Sequence, residues 1–273
     1  MTRIVGTDWQ SYDGVAETYA RIADLCFSPP ARDLVCALGL APGSRVLDVG
    51  AGTGAVAALA AQAVGAAGMV VALDPAIEML RVIKKRCRAH PVVGELPRLP
   101  YRDGSFDAVA ASFVLTHVDD PARAVAAMAN ALRPGGRLAL SSWAQTESTS
   151  PPGRTWQTLA TEFVREAELQ AALHEALPSQ DKFMDPAFLA IALESAGLLK
   201  VLIRSTAYSI EMTARAFAEL RQISMAGRFI ASVLPAPDWT RFKEEAARRL
   251  SAAHGSRVRI EVQAHIAVGS KAC

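Results

Sequence analysis

The residues of this sequence with the clearest capacity for chemistry are three glycines in the loop Asp48-Val49-Gly50-Ala51-Gly52-Thr53-Gly54. Because glycine has no side chain, the backbone of such a loop can approach a ligand closely, and the amides at the start of a following helix face that ligand. The same loop, continued to Ala55, also satisfies the Gly-x-Gly-x-x-Ala pattern of dinucleotide-binding proteins. The spacing therefore predicts a nucleotide-type ligand without identifying it, and a purely structural tight turn is the alternative.

An acidic residue, Asp74, ends the next predicted strand, 20 residues beyond Gly54. A carboxylate at this place can accept hydrogen bonds from both hydroxyls of an adenosine ribose. Asp74 also directly precedes Pro75, and its alternative role is that of N-cap of the helix that follows. A carboxylate with two oxygens can do both.

The elements that must position these residues alternate between strands and helices. Apolar runs predict strands at residues 45–49, 69–73, 92–93, 106–112 and 137–142, with helices at residues 55–64, 75–89 and 121–132. Strands that read as continuous apolar runs are covered on both faces, which is typical of a parallel sheet.

Further elements are predicted on both sides of this core. Two helices, residues 9–25 and 30–40, precede it and are separated at Pro29-Pro30, whereas helices at residues 155–177, 186–196, 214–233 and 238–253 follow it. Strands are predicted at residues 200–208 and 257–268, and the alternating pattern of the last one indicates an antiparallel edge region. The fold class is α/β, with a Rossmann-like, seven-stranded, mostly parallel sheet and helices on both faces.

Four parts are predicted along the chain. They are an N-terminal helical extension (1–44), a Rossmann-like core (45–143), a helical substrate lid inserted after the fifth strand (144–199), and C-terminal strands and helices that complete the sheet (200–273). The polar, breaker-rich residues 145–153 form the predicted loop between core and lid.

Composition narrows the classes of partner. The net charge is +2, and the longest basic run is Lys84-Lys85-Arg86, so no nucleic-acid partner is expected. Four scattered cysteines predict reduced, buried thiols with neither a disulfide framework nor a metal site. No membrane span is predicted, and the cytoplasm is the expected location. The oligomeric state is left open, with a homodimer as one alternative.

Three motifs in order resemble those of class I S-adenosylmethionine-dependent methyltransferases, in the ubiquinone/menaquinone-type branch that acts on small molecules. Residues 46–54, VLDVGAGTG, resemble the first motif, in which an aspartate precedes the glycine loop. Residues 94–107, GELPRLPYRDGSFD, and residues 132–138, LRPGGRL, resemble the two later motifs. The resemblance covers residues 10–143 and implies S-adenosylmethionine as cofactor, with S-adenosylhomocysteine as product.

The resemblance also implies roles for residues of this chain. Asp48 would hold the methionine amino group or the loop that does so, residues 50–54 would pass under the methionine part, Asp74 would bind the ribose, and Glu95 with Leu96 would meet the adenine. Glu95 departs from the aspartate usual in the family and is one methylene longer. The complete predicted cofactor site consists of Tyr19, Asp48, Gly50, Ala51, Gly52, Thr53, Gly54, Asp74, Pro75, Met79, Glu95, Leu96, Ser112 and His117.

Two of these residues carry further interpretations. His117 resembles a histidine that lies under the cofactor in the family, which makes it a candidate general base, with His174 as a second candidate. A packed or solvent-bonded loop histidine is the alternative. Tyr19 resembles an N-terminal tyrosine that covers the cofactor, with ordinary helix packing as its alternative.

The methyl acceptor is expected under a lid at residues 155–233. If its apolar side chains line a pocket, the acceptor is an apolar, medium-sized molecule such as a quinone, a polyketide or another lipid-like metabolite; the alternative is that they form core. These side chains are Trp156, Leu159, Phe163, Phe183, Met184, Phe188, Met225, Phe229 and Ile230. Two other functions remain open: a non-catalytic S-adenosylmethionine-binding regulatory protein, and an NAD(P)-dependent oxidoreductase.

Overall fold

The computed structural model describes residues 9–273, so the first eight residues of the predicted N-terminal extension lie outside it. A short 3-10 turn, Asp13–Val15, and a π-helical segment, Tyr19–Ala23, flank the first helical turn. The helices are α1 Ala16–Thr18, α2 Asp24–Leu38, α3 Ala55–Val64, α4 Ile77–Arg86, α5 Pro121–Ala131, α6 Pro151–Phe163, α7 Glu166–Ala176, α8 Gln180–Phe183, α9 Pro186–Ser195, α10 Ala214–Ile223, α11 Met225–Val233 and α12 Ala236–His254. The strands are β1 Arg45–Val49, β2 Met69–Asp74, β3 His90–Val93, β4 Phe106–Ser112, β5 Leu132–Gln145, β6 Leu198–Thr213 and β7 Arg257–Lys271.

Within residues 9–273 the strands form one sheet of seven, in the order β3-β2-β1-β4-β5-β7-β6. The first five strands are parallel, and β7 pairs antiparallel with both β5 and β6. Strand order reverses between β1 and β4, which is the switch point where α/β sheets bind ligands beyond the carboxyl ends of their strands. The predicted fold class is confirmed.

Successive side chains of the strands enter two different cores, because side chains alternate across a sheet. Val46 and Ala139 face the core that includes side chains of α2, α3 and α4, whereas Leu47 and Leu138 face the core that includes α5 and α9. Both faces of the central strands are thus buried, and this accounts for their uninterrupted apolar sequence.

A third core lies above the sheet and joins the N-terminal helices to two insertions, one between β5 and β6 and the other between β6 and β7. Ile22 and Cys26 contribute to it, together with apolar residues of α6, α7, α10, α11 and α12. Strands β6 and β7 extend into it beyond the end of β5 as a two-stranded ribbon, with Ile210 paired to Ile260. We call this group, α6 and α7 with α10 to α12 and the ribbon, the cap.

The structure corrects the predicted break at Pro29-Pro30, since both prolines lie inside α2. A proline inside a helix removes one backbone hydrogen bond and crowds the preceding turn. Here Pro30 and Ala31 are buried, and α2 packs against α3 and the sheet. Tertiary packing of α2 therefore outweighs the local cost of the two prolines.

Strand β7 is antiparallel as expected, but its predicted place at the edge is wrong: it lies between β5 and β6, and β6 forms the edge. Only residues 257–262 alternate between exposed and buried, because this part belongs to the ribbon, whereas Ala264, Ile266 and Ala267 are all buried. The predicted helices at residues 155–177 and 214–233 are each divided in two, the first at Val164-Arg165 and the second at Ser224.

The cap is also distributed differently from the predicted lid. Helix α9, inside the predicted lid at residues 144–199, packs against β6, β7 and α5. Helices α10 and α12, assigned to the part that completes the sheet, pack with each other, and α12 packs with α6. The domain limits themselves stay a prediction. Among residues 9–273 no helix is long and apolar enough to cross a membrane. All four cysteines are free, but Cys36 and Cys273 are exposed, so the prediction of buried thiols is wrong for these two.

Candidate cofactor and acceptor site

The glycine loop is held against the carboxyl end of β2 by backbone hydrogen bonds. The amides of Gly50 and Ala51 donate to the carbonyl of Leu73, over 2.8 and 3.0 Å. Gly50 has a φ of +65°, and a Cβ at this position would lie 2.4 Å from Cγ2 of Val114. Glycine is thus required at position 50 both by the left-handed backbone and by the close approach of the chain after β4.

Gly52 differs from Gly50 in what surrounds it. Its φ is +53°, but a Cβ built on it would meet no atom within 4 Å. Gly52 lines a cavity of about 670 Å³ that extends from the carboxyl ends of β1, β2 and β4 up into the cap. The missing side chain therefore keeps the end of this cavity open.

Asp74 closes the same end of the cavity and is only 8% exposed. One carboxylate oxygen accepts a hydrogen bond from the Gly52 amide and the other from the Ala76 amide, both over 2.8 Å. Burial raises the pKa of Asp74, although these two amides oppose the rise. The helix that follows begins at Ile77 with Ala76 as its N-cap, so Asp74 binds the turn before the helix without being the cap residue.

The cavity brings together eight of the predicted cofactor residues and the second candidate base, His174. The eight are Tyr19, Gly50, Gly52, Asp74, Pro75, Met79, Ser112 and His117. They come from the N-terminal helices, the glycine loop, the end of β2, α4 and the segment after β4. Six other predicted residues, Asp48, Ala51, Thr53, Gly54, Glu95 and Leu96, do not line it.

Local packing explains these six positions. Ala51 is buried, and Gly54 faces Ile83 of α4. Leu96 packs against the core under α5 and α9. The Glu95 side chain is 65% exposed, and its Oε1 lies 3.8 Å from Nη2 of Arg98. Contact between Glu95 and an adenine stays a prediction.

Asp48 lies beneath the glycine loop, 1% exposed, and neither of its carboxylate oxygens makes a hydrogen bond with the described residues. Burial raises its pKa to about 8, while the amide of Ala57 acts in the opposite direction and the charge of Asp74 adds to the rise. The carboxyl group of Asp48 is therefore buried at the end of β1 and largely protonated at neutral pH.

Thr53 links the glycine loop to the N-terminal helices. Its hydroxyl donates to Asp24 over 3.1 Å, and Asp24 forms an ion pair with Arg86 of α4. The guanidinium of Arg86 also donates to the Thr53 carbonyl over 3.4 Å. These contacts connect the loop, α2 and α4 on the outer side of the cavity.

His117 lies in the cavity wall beside Tyr12 and Arg228. The Tyr12 hydroxyl is 3.4 Å from Nε2 of His117, and Cζ of Arg228 lies 4.0 Å above the Tyr12 ring. Burial lowers the pKa of His117 to about 4, opposed by a hydrogen bond to the Ala176 backbone and reinforced by the charge of Arg228. The imidazole is therefore uncharged at neutral pH, and both interpretations of His117 stay open.

A wall of aromatic rings separates the cofactor end of the cavity from the third core. Tyr19 stacks on Phe27, and Phe113 stacks on Trp143 with ring centroids 4.0 Å apart. Phe113 has a φ of +58°, which is strained for a residue with a side chain. Sequence reasoning did not select Phe27, Phe113 or Trp143, because only the fold stacks them.

Two of the nine apolar side chains of the predicted lid, Trp156 and Met225, line the cavity. The other seven do not: among them Leu159 and Ile230 are buried in the third core, and Phe183 is buried against the sheet. For these residues the core alternative is correct.

The cavity also contains an ion pair that sequence reasoning missed. Arg221 of α10, 7% exposed, pairs with Glu147 of the loop after β5, and its guanidinium lies over the Trp156 ring. The signal in the sequence was weak, because one arginine on an amphipathic helix is usually solvated. Only the packing of the two insertions shows that this one is buried.

Comparison with known proteins is consistent with the observed fold and with the glycine loop. Residues 47–140 match a family model described as a methyltransferase domain. The match runs from β1 into β5 and includes the glycine loop and Asp74. The dinucleotide interpretation of the glycine loop is set aside.

Two curated relatives confirm the resemblance to the ubiquinone/menaquinone-type branch. Demethylmenaquinone methyltransferase of Renibacterium salmoninarum is 39% identical over 141 residues, which are 50% of this chain and 54% of that protein. Ubiquinone/menaquinone biosynthesis C-methyltransferase UbiE of Vibrio campbellii is 38% identical over 107 residues, or 37% and 41%. The chain thus spans about half the length of the curated relatives it matches.

Solved structures show the same fold over most of the chain. A putative methyltransferase of Bacillus halodurans has a TM-score of 0.55 at 17% identity, covering 89% of this chain and 99% of its own. Phosphoethanolamine N-methyltransferase 2 of Haemonchus contortus, solved with phosphomonomethylethanolamine and S-adenosylhomocysteine, has a TM-score of 0.59 at 16% identity, covering 100% of this chain and 62% of its own.

Proposed function

We propose that this protein transfers a methyl group from S-adenosylmethionine to a small molecule bound under the cap. The observation that carries the proposal is the open space in front of Gly52, beside the buried carboxylate of Asp74, at the switch point of a class I sheet. A nucleoside with a flexible amino-acid tail fits such a place, because backbone approach and a ribose-binding carboxylate are available together.

We assign the cofactor contacts to the residues that the cavity brings together. The backbone of Gly50 and Gly52 lies against the methionine part, and Asp74 accepts from the ribose hydroxyls, since each carboxylate oxygen retains a lone pair beyond its backbone bond. Pro75 and Met79 contact the adenosine on the α4 side, and Tyr19 covers it from the N-terminal helices.

When bound, S-adenosylmethionine supplies a sulfonium methyl group that a nucleophile can displace in line. The residues of this chain hold the acceptor in the cavity and exclude water, which requires no covalent nucleophile from the protein. His117 is uncharged at neutral pH and can accept a proton, but its pKa of about 4 makes it a weak base. We therefore infer that positioning contributes more to catalysis than proton abstraction.

The acceptor is proposed to be a largely apolar metabolite of medium size. The cavity of about 670 Å³ has to hold the cofactor and the acceptor together, which limits the acceptor to a medium-sized molecule, and the rings of Phe113, Trp143 and Trp156 line its walls. Two curated relatives carry names that refer to quinone biosynthesis. A nucleic acid is not proposed as a partner, and the cytoplasmic location and oligomeric state stay predictions.

The test measures cofactor binding before turnover. We expect S-adenosylhomocysteine to bind the purified protein in calorimetry and NAD⁺ not to bind. Incubation of methyl-labelled S-adenosylmethionine with a panel of hydroquinones and naphthols should then yield a labelled product. Binding of NAD⁺ in place of S-adenosylhomocysteine would contradict the proposal, and cofactor binding without transfer to any acceptor would favour a regulatory protein.

A further inference from the structure

The cap end of the cavity holds a buried cation whose charge is already balanced. Arg221 is 7% exposed and pairs with Glu147, and its guanidinium carbon lies 4.5 Å from the centre of the Trp156 ring. All three residues line the same cavity as Gly52 and Asp74. The cofactor end and this ion pair are thus parts of one continuous space.

Two hydrogen-bond donors at this end have no acceptor among residues 9–273. They are Nε of Arg221 and Nε1 of Trp156, a side chain that is 1% exposed. Buried donors in folded proteins are nearly always paired, because an unpaired one loses its hydrogen bonds to water without replacement. Two such donors on side chains in contact, both lining a cavity, indicate that a ligand supplies the acceptor.

The charges of the site restrict the ligand. Both free groups are donors, so they require an oxygen with a lone pair. Because Glu147 already neutralises Arg221, a carboxylate or phosphate would place a second negative charge beside the one cation of the pair. An uncharged oxygen, a carbonyl or a hydroxyl, satisfies the donors without that repulsion, and a hydroxyl can also donate to Glu147.

We propose that Arg221, Trp156 and Glu147 form the subsite that binds the methyl acceptor by an uncharged carbonyl or hydroxyl oxygen. The inference rests on the proposed function, since it names the acceptor-binding part of that site. Trp156 Nε1 and Arg221 Nε donate to the oxygen, and Glu147 holds the guanidinium in place. The subsite selects for acceptors with an uncharged oxygen over acceptors with a carboxylate or phosphate group.

The experiment compares three probes with the same ring system: 2-naphthol, naphthalene and 2-naphthoate. Affinities are measured by calorimetry, and by displacement of 2-naphthol for naphthalene, with and without S-adenosylhomocysteine. We expect wild-type protein to prefer 2-naphthol over both of the others. Trp156→Phe removes the donor and keeps a ring, so the preference for 2-naphthol over naphthalene should fall about fivefold, the effect of one neutral hydrogen bond.

Trp239→Phe is the matched control, because Trp239 packs against the third core and does not line the cavity. It should leave the preference unchanged. Arg221→Lys keeps the positive charge beside Glu147 but removes Nε, and it should also reduce the preference. The ratio of the affinities for 2-naphthol and naphthalene is insensitive to a change in pocket shape that weakens the binding of both.

Three outcomes would overturn the subsite: tighter binding of 2-naphthoate than of 2-naphthol, no binding of 2-naphthol to wild-type protein, or an unchanged preference in Trp156→Phe. Binding of S-adenosylhomocysteine is recorded separately in each protein. Absence of binding in wild-type protein would contradict the proposed function, whereas binding in wild-type protein and in Trp156→Phe, together with an unchanged preference, would contradict only the subsite.

Discussion

Alanine at Gly52 should weaken cofactor binding with little effect on the fold beyond backbone strain. The φ of +53° makes any side chain costly there, by about 1–2 kcal/mol. A Cβ meets no protein atom within 4 Å, so no packing cost is added. The methyl group instead enters the cavity beside Asp74, where we place the methionine part of the cofactor. We expect the Kd for S-adenosylhomocysteine to rise at least about tenfold.

Gly43→Ala provides the matched control. Gly43 also has a positive φ, +86°, and also has no atom within 4 Å of a built Cβ, but it does not line the cavity. Urea unfolding should show a similar loss of stability in both variants, whereas the Kd for S-adenosylhomocysteine should change less than about twofold in Gly43→Ala. Calorimetry on the two folded proteins measures the difference.

Gly50→Ala extends the comparison to a position where the protein itself fills the space. Its Cβ would lie 2.4 Å from Val114, so overpacking should add about 1–3 kcal/mol of destabilisation to the backbone strain. The expected order of stability is Gly43→Ala and Gly52→Ala together, then Gly50→Ala. An unchanged Kd in Gly52→Ala, with the stability loss as expected, would refute our placement of the cofactor.

Three further predictions concern stability. Burial raises the pKa of Asp48 to about 8, above its value in the unfolded chain, so this group favours folding at low pH and loses that contribution as pH rises. Between pH 6.5 and 7.5, the free energy of unfolding in urea without cofactor should fall by about 1 kcal/mol more in wild-type protein than in Asp48→Asn. An equal fall in the two proteins would show that Asp48 is ionised in the fold. The pKa of His117 is lowered to about 4, so its contribution to stability is present above its unfolded pKa and is lost as pH falls. Between pH 6 and 5, the free energy of unfolding should fall by about 1 kcal/mol more in wild-type protein than in His117→Gln. An equal fall in the two proteins would contradict the burial of His117 as a neutral imidazole. Exposed Lys200 has a φ of +53°, so Lys200→Gly should raise the free energy of unfolding by about 0.5–1 kcal/mol, and a lower thermal midpoint would contradict the inferred strain.

Several elements could be predicted from the sequence because their causes are local. Strand β1, helix α3 and strand β4 have the predicted limits, since their side chains are buried on one stripe or on both faces. Glycines also precede and follow β1 and α3. The glycine loop and Asp74 were predicted as a pair, because a loop after one parallel strand and the end of the next must meet at one edge of the sheet.

Other features depend on contacts between distant parts of the chain. The continuous helix through Pro29 and Pro30 reflects packing on the sheet, and the place of β7 between β5 and β6 depends on pairing with both strands. The family motif predicted that Glu95 contacts the adenine, but the fold leaves its side chain exposed. Local patterns carry no information on any of these, because their energies come from partners far along the chain.

The candidate site contains both features that follow from the sequence and features that depend on distant contacts. The sequence by itself determined the Rossmann-like core and its glycine loop, because close backbone approach to a ligand requires glycine at specified positions. Only the tertiary structure decided what faces the acceptor. Arg221 and Glu147 are 74 residues apart and come from separate insertions that pack above the sheet. Their burial, and the unpaired donors beside them, arise only when the two insertions meet.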